Sequence, residues 1–186
     1  MPTPFSHGAK VCTGKARTAA SKSGGSFAVQ IAKGRGAHVI GTASSANEAL
    51  ARSLGVDEFV AYDRCDVVDA IKAAHPDGID AALDLVDDAD ALKRTATLLR
   101  DRGGIVSTIG SIDENAPPAS NIVAQNLFVA DSPVWSHAGL RTLLRMLEEG
   151  TISVTIAGER PLSEAVQALE ESKRGSVNGK LVITVA

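Results

Sequence analysis

The chain has 186 residues, 44% hydrophobic and 22% charged, with 19 Lys+Arg against 22 Asp+Glu and a net charge of −3. That length accommodates one domain with a full core, or one domain and a small appendage, and the composition is that of a folded globule rather than a disordered tail. The faintly acidic balance lacks the basic stripe that marks nucleic-acid binding, and no apolar run reaches the roughly 18–20 residues of a bilayer span.

Met1-Pro2-Thr3-Pro4 has neither the basic nor the apolar region of a secretory leader. The two cysteines, Cys12 and Cys65, are too few and too isolated for a disulfide framework or a Cys-rich zinc site. A cytoplasmic location, with no nucleic-acid and no membrane partner, is expected. Aromatics make up only 3%, so Ala, Val, Ile and Leu must fill the core, as they do where a parallel sheet is covered by helices.

In chain order, Ser26 to Lys33 places Phe27 and Ile31 at helical spacing and stops at Gly34-Arg35-Gly36. Ala37 to Thr42 is short, apolar and β-branched, hence a strand. Ser45 followed by Glu48 forms a capping-box pattern for a helix to Leu54, ended by Gly55. Glu58 to Tyr62 reads as a third strand. Asp66 caps a helix through Val67, Ala70 and Ile71, and Ile79 to Val86 is a fourth strand. A helix is expected from Asp90 to Arg100, stopped by Gly103-Gly104, then a fifth strand from Ile105 to Ile109. A polar loop with Pro117-Pro118 leads to a sixth strand, Asn126 to Ala130. This β-α-β-α rhythm predicts an α/β fold: a doubly wound parallel sheet with helices on both faces.

Beyond Ser136 the pattern changes to an amphipathic helix (Gly139 to Glu149), a strand alternating from Ile152 to Ile156, a helix from Leu162 to Arg174 and a closing strand from Gly179 to Val185. The expected division is a nucleotide-binding domain over 1–137, with an atypical first strand and loop in 1–23, and a strand-helix-strand appendage over 138–186.

Gly25 to Lys33 followed by Gly36 to Ser44 resembles the medium-chain dehydrogenase/reductase superfamily, most closely its zinc-independent, quinone oxidoreductase-like branch. Further matching segments follow in order: Ser53 to Glu58, Asp80 to Val86, Gly103 to Gly110 and Gly179 to Val182. The resemblance spans about Gly24 to Ala186 and implies a Rossmann cofactor domain, followed by the return that in such proteins completes a GroES-like catalytic domain. The matched stretch contains no such catalytic domain. At the phosphate loop the family's glycine pattern is altered. One register makes Lys15-Ala16-Arg17 the first strand; the preferred one uses Ala9 to Thr13, with Gly14 opening a long loop to Gly24-Gly25. Lys15, Arg17 and Lys22 in that loop could hold phosphates by charge, or be a solvated insertion.

The resemblance implies a nicotinamide dinucleotide. Gly24, Gly25 and Ser26 would face the diphosphate. The second strand ends Thr42-Ala43-Ser44-Ser45 without the carboxylate that accepts the ribose hydroxyls of NAD, so Ser44 and Ser45 suit a 2′-phosphate and NADP (NADPH) is the expected cofactor. Tyr62 matches a position contacting the adenosine phosphate; otherwise Ser45 is an N-cap and Tyr62 an edge residue. Leu85 and Val86, Ile109 and Gly110, and Phe128 would neighbour the nicotinamide, and Lys180 the phosphates. Asp87-Asp88 stands where the family carries glycine and reads best as an N-cap pair.

The four histidines are scattered without ligand spacing, so no metal is expected. No Gly-x-Ser-x-Gly elbow occurs, and Tyr62, the sole tyrosine, has Asp66 rather than lysine where a Tyr-x-x-x-Lys motif requires it. Two functions follow. One is an NADPH-dependent reductase of a conjugated carbonyl or quinone, a small-molecule substrate, with catalytic residues unassigned. The other is a non-catalytic nucleotide-binding or interaction module. Unpaired strands at Ile152–Ile156 and Leu181–Val185 would favour a homo-oligomer.

Overall fold

The computed structural model describes residues 10–13, 23–85, 88–110, 112–113, 121–128, 136–174 and 177–185. Six parallel strands form one sheet in the order β3-β2-β1-β4-β5-β6: β1 (Lys10–Thr13), β2 (His38–Ala43), β3 (Glu58–Ala61), β4 (Ile79–Asp84), β5 (Leu99–Ser107) and β6 (Val123–Asn126). This is the doubly wound, Rossmann-like order, with the direction of winding reversing between β1 and β4. The first strand is the one expected from the apolar register, and it is paired on both sides: Val11 opposes Val39 on β2 and Ala81 on β4.

Alternate residues of β2 send their side chains to opposite faces. Val39 and Ala43 pack against Val29 and Ala32 of α1 (Ser23–Gly34) and Ala51 of α2 (Glu48–Ser53). Ile40 packs on the other face against Val67, Val68 and Ile71 of α3 (Val67–Ala74). Beside it, Leu92 of α4 (Ala89–Ala96) covers Ala82 and Ile105. Gly41 is required by a close approach, since a methyl there would stand 2.6 Å from Val56 Cγ2.

Several boundaries differ from expectation, each for a local reason. Helix α4 ends at Ala96 rather than Arg100, because Leu98 O is recruited by Ile79 N–H (2.9 Å) and draws the chain into β5. Gly103 is therefore not a helix stop: the β4–β5 register shifts between Ile79 and Ala81, Arg102 adopts φ 60°, and a Cβ at Gly103 would lie 2.9 Å from Arg100 O. Strand β6 starts at Val123, and Leu127 and Phe128 lie past its end; as an edge strand it does not need the continuous apolar run that pointed to 126–130.

The capping box at Ser45 and Glu48 does not form. Ser45 opens a single 3-10 turn, Glu48 is held by Arg52 (2.9 Å), and the Ser45 donors go elsewhere. Asp66 and Asp88 do cap their helices, Asp66 accepting from Val68 and Asp69 N–H and Asp88 from Ala91 N–H.

After α5 (His137–Glu148), the segment expected as a strand at Ile152–Ile156 forms none before Ile156, and Ser153 finds a side-chain partner instead. The Gln30 amide accepts from Ser153 N–H (2.7 Å) and Ser153 Oγ (3.0 Å) and donates to Ser153 O (3.2 Å), while Ile152 is buried. The strands of the appendage are β7 (Ile156–Pro161) and β8 (Lys180–Thr184), joined by α6 (Ala165–Lys173) and paired with each other in parallel. They are thus not both unpaired, and the ladder edges in question belong to a two-stranded sheet. Among the described residues no helix is long and apolar enough to cross a membrane.

The amino edge of the sheet is stapled by carboxylates. Asp57 accepts from Val39 N–H (2.7 Å) and from Lys33 Nζ (2.8 Å), and Glu58 joins His38 Nε2 (2.6 Å) to His75 Nε2 (2.9 Å). Burial pushes both carboxyls up. It is outweighed for Asp57 by hydrogen bonds from Lys33 and Val39 and the charges of Lys33 and His38, and for Glu58 by the two imidazoles, so both sit below the ordinary range.

A depressed folded pKa stabilises above the unfolded value and is lost as pH falls through the folded one. Thermal melts should therefore drop in midpoint as pH is lowered from about 5 toward 3, and the Asp57→Asn, Glu58→Gln double variant should show a flatter dependence over that window. Separately, Gln30→Ala leaves the Ser153 amide and carbonyl without their partner; urea unfolding should report a loss of about 2 kcal/mol.

Candidate functional site

In a doubly wound sheet, ligands bind outside the carboxyl ends of the strands, where the winding reverses. Here the register aligns those ends: Thr13 opposes Gly41 on one side and Leu83 on the other, and Asp84, Ser107 and Asn126 lie in a row across β4, β5 and β6. At the β1–β4 switch, α1 opens with Gly24 exposed and Gly25 buried. A Cβ on Gly24 would meet both Leu85 methyls at 3.8 Å, so Gly24 and Leu85, expected at the diphosphate and the nicotinamide, lie side by side at the switch. The first amides of a 12-residue helix have no intrahelical acceptors and carry the positive end of its dipole. That is a fitting cradle for a diphosphate. Val86 and the Gly14–Lys22 loop lie outside the described residues.

Toward β5 and β6 the site is built on a buried carboxylate. Asp84 is 1% exposed and accepts from Ser107 Oγ at 2.7 Å, while its carbonyl accepts from Thr108 N–H at 3.0 Å. Ser107 O in turn accepts from Leu127 N–H (2.8 Å), and the Asn126 side chain bridges to Ile112 N–H and C=O. These bonds fix the exits of β4, β5 and β6 relative to one another. Gly110, at φ 78°, approaches Phe128 so closely that a Cβ would stand 3.1 Å from the ring. Ile109, Leu127 and Phe128 remain exposed and form an apolar rim.

At the β2–β3 end, Tyr62 N–H donates to Ala43 O (3.1 Å) and the half-buried ring packs beside Val67 and Val68. Ser44 Oγ accepts from Asn47 Nδ2 (2.9 Å). Ser45 is engaged by a residue that the sequence reading did not single out: its N–H donates to Asp63 Oδ1 (2.8 Å) and its hydroxyl to Asp63 Oδ2 (2.8 Å). These two hydrogen bonds hold the Asp63 carboxyl below its ordinary value. The available signal was its place one residue after Tyr62, at the exit of the strand that neighbours β2.

Lys180 and Gly179 line a small crevice with Ser26 and Phe27, so the appendage reaches the first turn of α1. Lys180 N–H donates to Thr155 O (2.8 Å), and Gly179, at φ 124°, leaves no room for a methyl against that carbonyl. Larger cavities lie elsewhere: about 630 Å³ lined by Ile31, Arg35, Leu140, Leu143 and Met146, and about 430 Å³ under α6 and β8. Among the described residues no three His, Cys, Asp or Glu side chains gather as a metal site.

Comparison with known proteins agrees with this fold. Residues 25–149 match the model of the zinc-binding dehydrogenase family. The trans-enoyl reductase pgmF of Aspergillus terreus (strain NIH 2624 / FGSC A1156) is 26% identical over 178 residues, 87% of this chain and 48% of that protein. Among solved structures, the quinone oxidoreductase from Coxiella burnetii superposes with a TM-score of 0.80 at 29% identity, covering 98% of this chain and 54% of the other. An NAD-dependent alcohol dehydrogenase does so with a TM-score of 0.76 at 26% identity, covering 98% and 52%. The chain spans about half the length of these proteins. The family's description names zinc, yet the described donor set does not fit a zinc site. From the strand order and the match over residues 25–149, the chain belongs to the zinc-binding dehydrogenase family of the medium-chain dehydrogenase/reductase superfamily, in its zinc-independent branch.

Proposed function

We propose that the chain is the cofactor-binding half of a nicotinamide-dinucleotide-dependent reductase of the quinone/enoyl type, acting on a conjugated carbonyl or quinone. The observation that carries this reading is the placement of exposed Gly24, at the start of α1, beside Leu85 at the carboxyl end of β4, where the winding of the sheet reverses. A bound reduced nicotinamide supplies hydride; the chain supplies binding and orientation. Backbone amides of Gly24, Gly25 and Ser26 hold the diphosphate, with Lys180 adding charge beside Ser26. Leu85, Val86, Ile109, Gly110 and Phe128 offer the apolar surface for the nicotinamide, and the Asp84–Ser107 bond keeps the β4 and β5 exits in place beneath it. The names of similar proteins, an enoyl reductase and a quinone oxidoreductase, support the substrate class.

On the cofactor's 2′ position, two observations pull apart. Thr42-Ala43-Ser44-Ser45 carries no carboxylate, which favours NADPH. Asp63, reaching Ser45 from the end of β3, favours NADH. A second reading of the whole chain, a binding or interaction module without turnover, is favoured by its exposed apolar faces. Leu140, Leu143, Leu144 and Leu147 on α5 and Ile156 and Val182 on the small sheet are all more than a third exposed. Such faces suit self-association, which light scattering across a concentration series would register as a rising mass.

Titration of nucleotide fluorescence with the purified chain should give saturable binding of a reduced nicotinamide dinucleotide. Gly24→Val, which puts a branched side chain beside the first amides of α1 where the diphosphate would approach, should weaken it at least about tenfold, roughly 1.4 kcal/mol, with the circular dichroism spectrum unchanged. Binding accompanied by quinone-dependent oxidation of the nucleotide selects the reductase, binding without oxidation selects the module, and no binding rejects both cofactor readings.

A further inference from the structure

We propose that Asp63 is the specificity residue for the adenosine ribose, supplying from the end of β3 the carboxylate that β2 lacks and so selecting a free 2′-hydroxyl over a 2′-phosphate. This rests on the dinucleotide reading of the carboxyl edge and assigns that site's preference. The carboxylate spans both Ser45 donors, the N–H and the hydroxyl, at 2.8 Å each. A 2′-phosphate arriving at the β2 exit would have to compete with this carboxylate for both donors. The residue is not a loose side chain that happens to lie there. Tyr62 N–H is bonded to Ala43 O, and Ala61 O accepts from both Arg64 and Cys65 N–H, so the turn carrying Asp63 is tied to the β2 exit on one side and closed on itself on the other.

The charge consequence is direct. A ribose 2′-hydroxyl can donate to a carboxylate at this edge, whereas a 2′-phosphate meets an anion already seated on its donors. The two Ser45 hydrogen bonds favour the ionised form of Asp63, so the anion is present at neutral pH. Arg64 is the charged neighbour that lowers it further. With Asp63 made neutral, Arg64 and the released Ser45 donors become a surface that accepts phosphate. A single side chain thus decides the sign of the site.

The test is fluorescence titration of wild type, Asp63→Asn and Asp63→Ser with NADH and with NADPH at one fixed, low ionic strength. Both substitutions lie on an exposed turn, and serine provides a second route should the asparagine variant not fold. Wild type should bind NADH at least tenfold more tightly than NADPH, and each variant should move that ratio at least tenfold toward NADPH, chiefly by tightening NADPH. If both nucleotides bind and the ratio stays within twofold in the variants, or if wild type prefers NADPH, the role of Asp63 is overturned while the dinucleotide reading stands. If wild type binds neither nucleotide, the dinucleotide reading falls and takes this assignment with it.

Discussion

Everything in this molecule is referred to a strand of four residues. Lys10–Thr13 is hydrogen-bonded in parallel to β2 on one side and to β4 on the other, so it alone joins the two halves of the sheet. Parallel pairing is possible only with a crossover between strands, and a right-handed crossover puts each helix on a determined face. Once β1 is central, α1 and α2 must cover one face and α3 and α4 the other, and the carboxyl ends on either side of β1 must part to make a crevice. The site is a by-product of winding, and the chemistry of its rim is what evolution of the side chains can adjust.

Two kinds of bond then set that rim. On the β4–β6 side, the Asp84–Ser107 hydrogen bond and the Asn126 amide fasten the strand exits from within, leaving apolar Ile109, Leu127 and Phe128 outward. On the β2–β3 side the fastening is exposed, through two hydrogen bonds from Ser45 to the charged Asp63 carboxylate. The first leaves an apolar surface outward with the Asp84–Ser107 pair buried, and the second leaves an exposed anion at the strand end.

The sequence made the layered architecture legible because its signals were local: glycine ends, Asp caps at Asp66 and Asp88, and short β-branched runs each recur at the spacing of a wound sheet. What it concealed depended on partners far along the chain. Gly103 has the look of a helix stop, and only the pull of Ile79 on Leu98 shows it to be a kink within a strand. Ile152 to Ile156 alternates like a strand, but the Ser153 backbone is bonded by Gln30, 123 positions away, and only Ile156 enters a strand. At the site the same division holds. Gly24, Leu85, Gly110 and Phe128 stood out by position, but that Gly24 lies beside Leu85 and Gly110 against Phe128 was not legible, and the Ser45 capping box was displaced by Asp63, whose role depends on β3 lying beside β2.

The carboxylate staples at the amino edge have a further consequence because of where they are. Asp57 and Glu58 sit at one end of strands whose other end carries the Ser45 anion contact, and β2 between them has six residues, a span of about 20 Å. Counterions at physiological salt damp exposed charges over about 8 Å. Protonating the histidine-flanked end therefore sends little electrostatic signal to the Asp63–Ser45 end: the two carboxylate clusters are insulated from each other by the length of a strand.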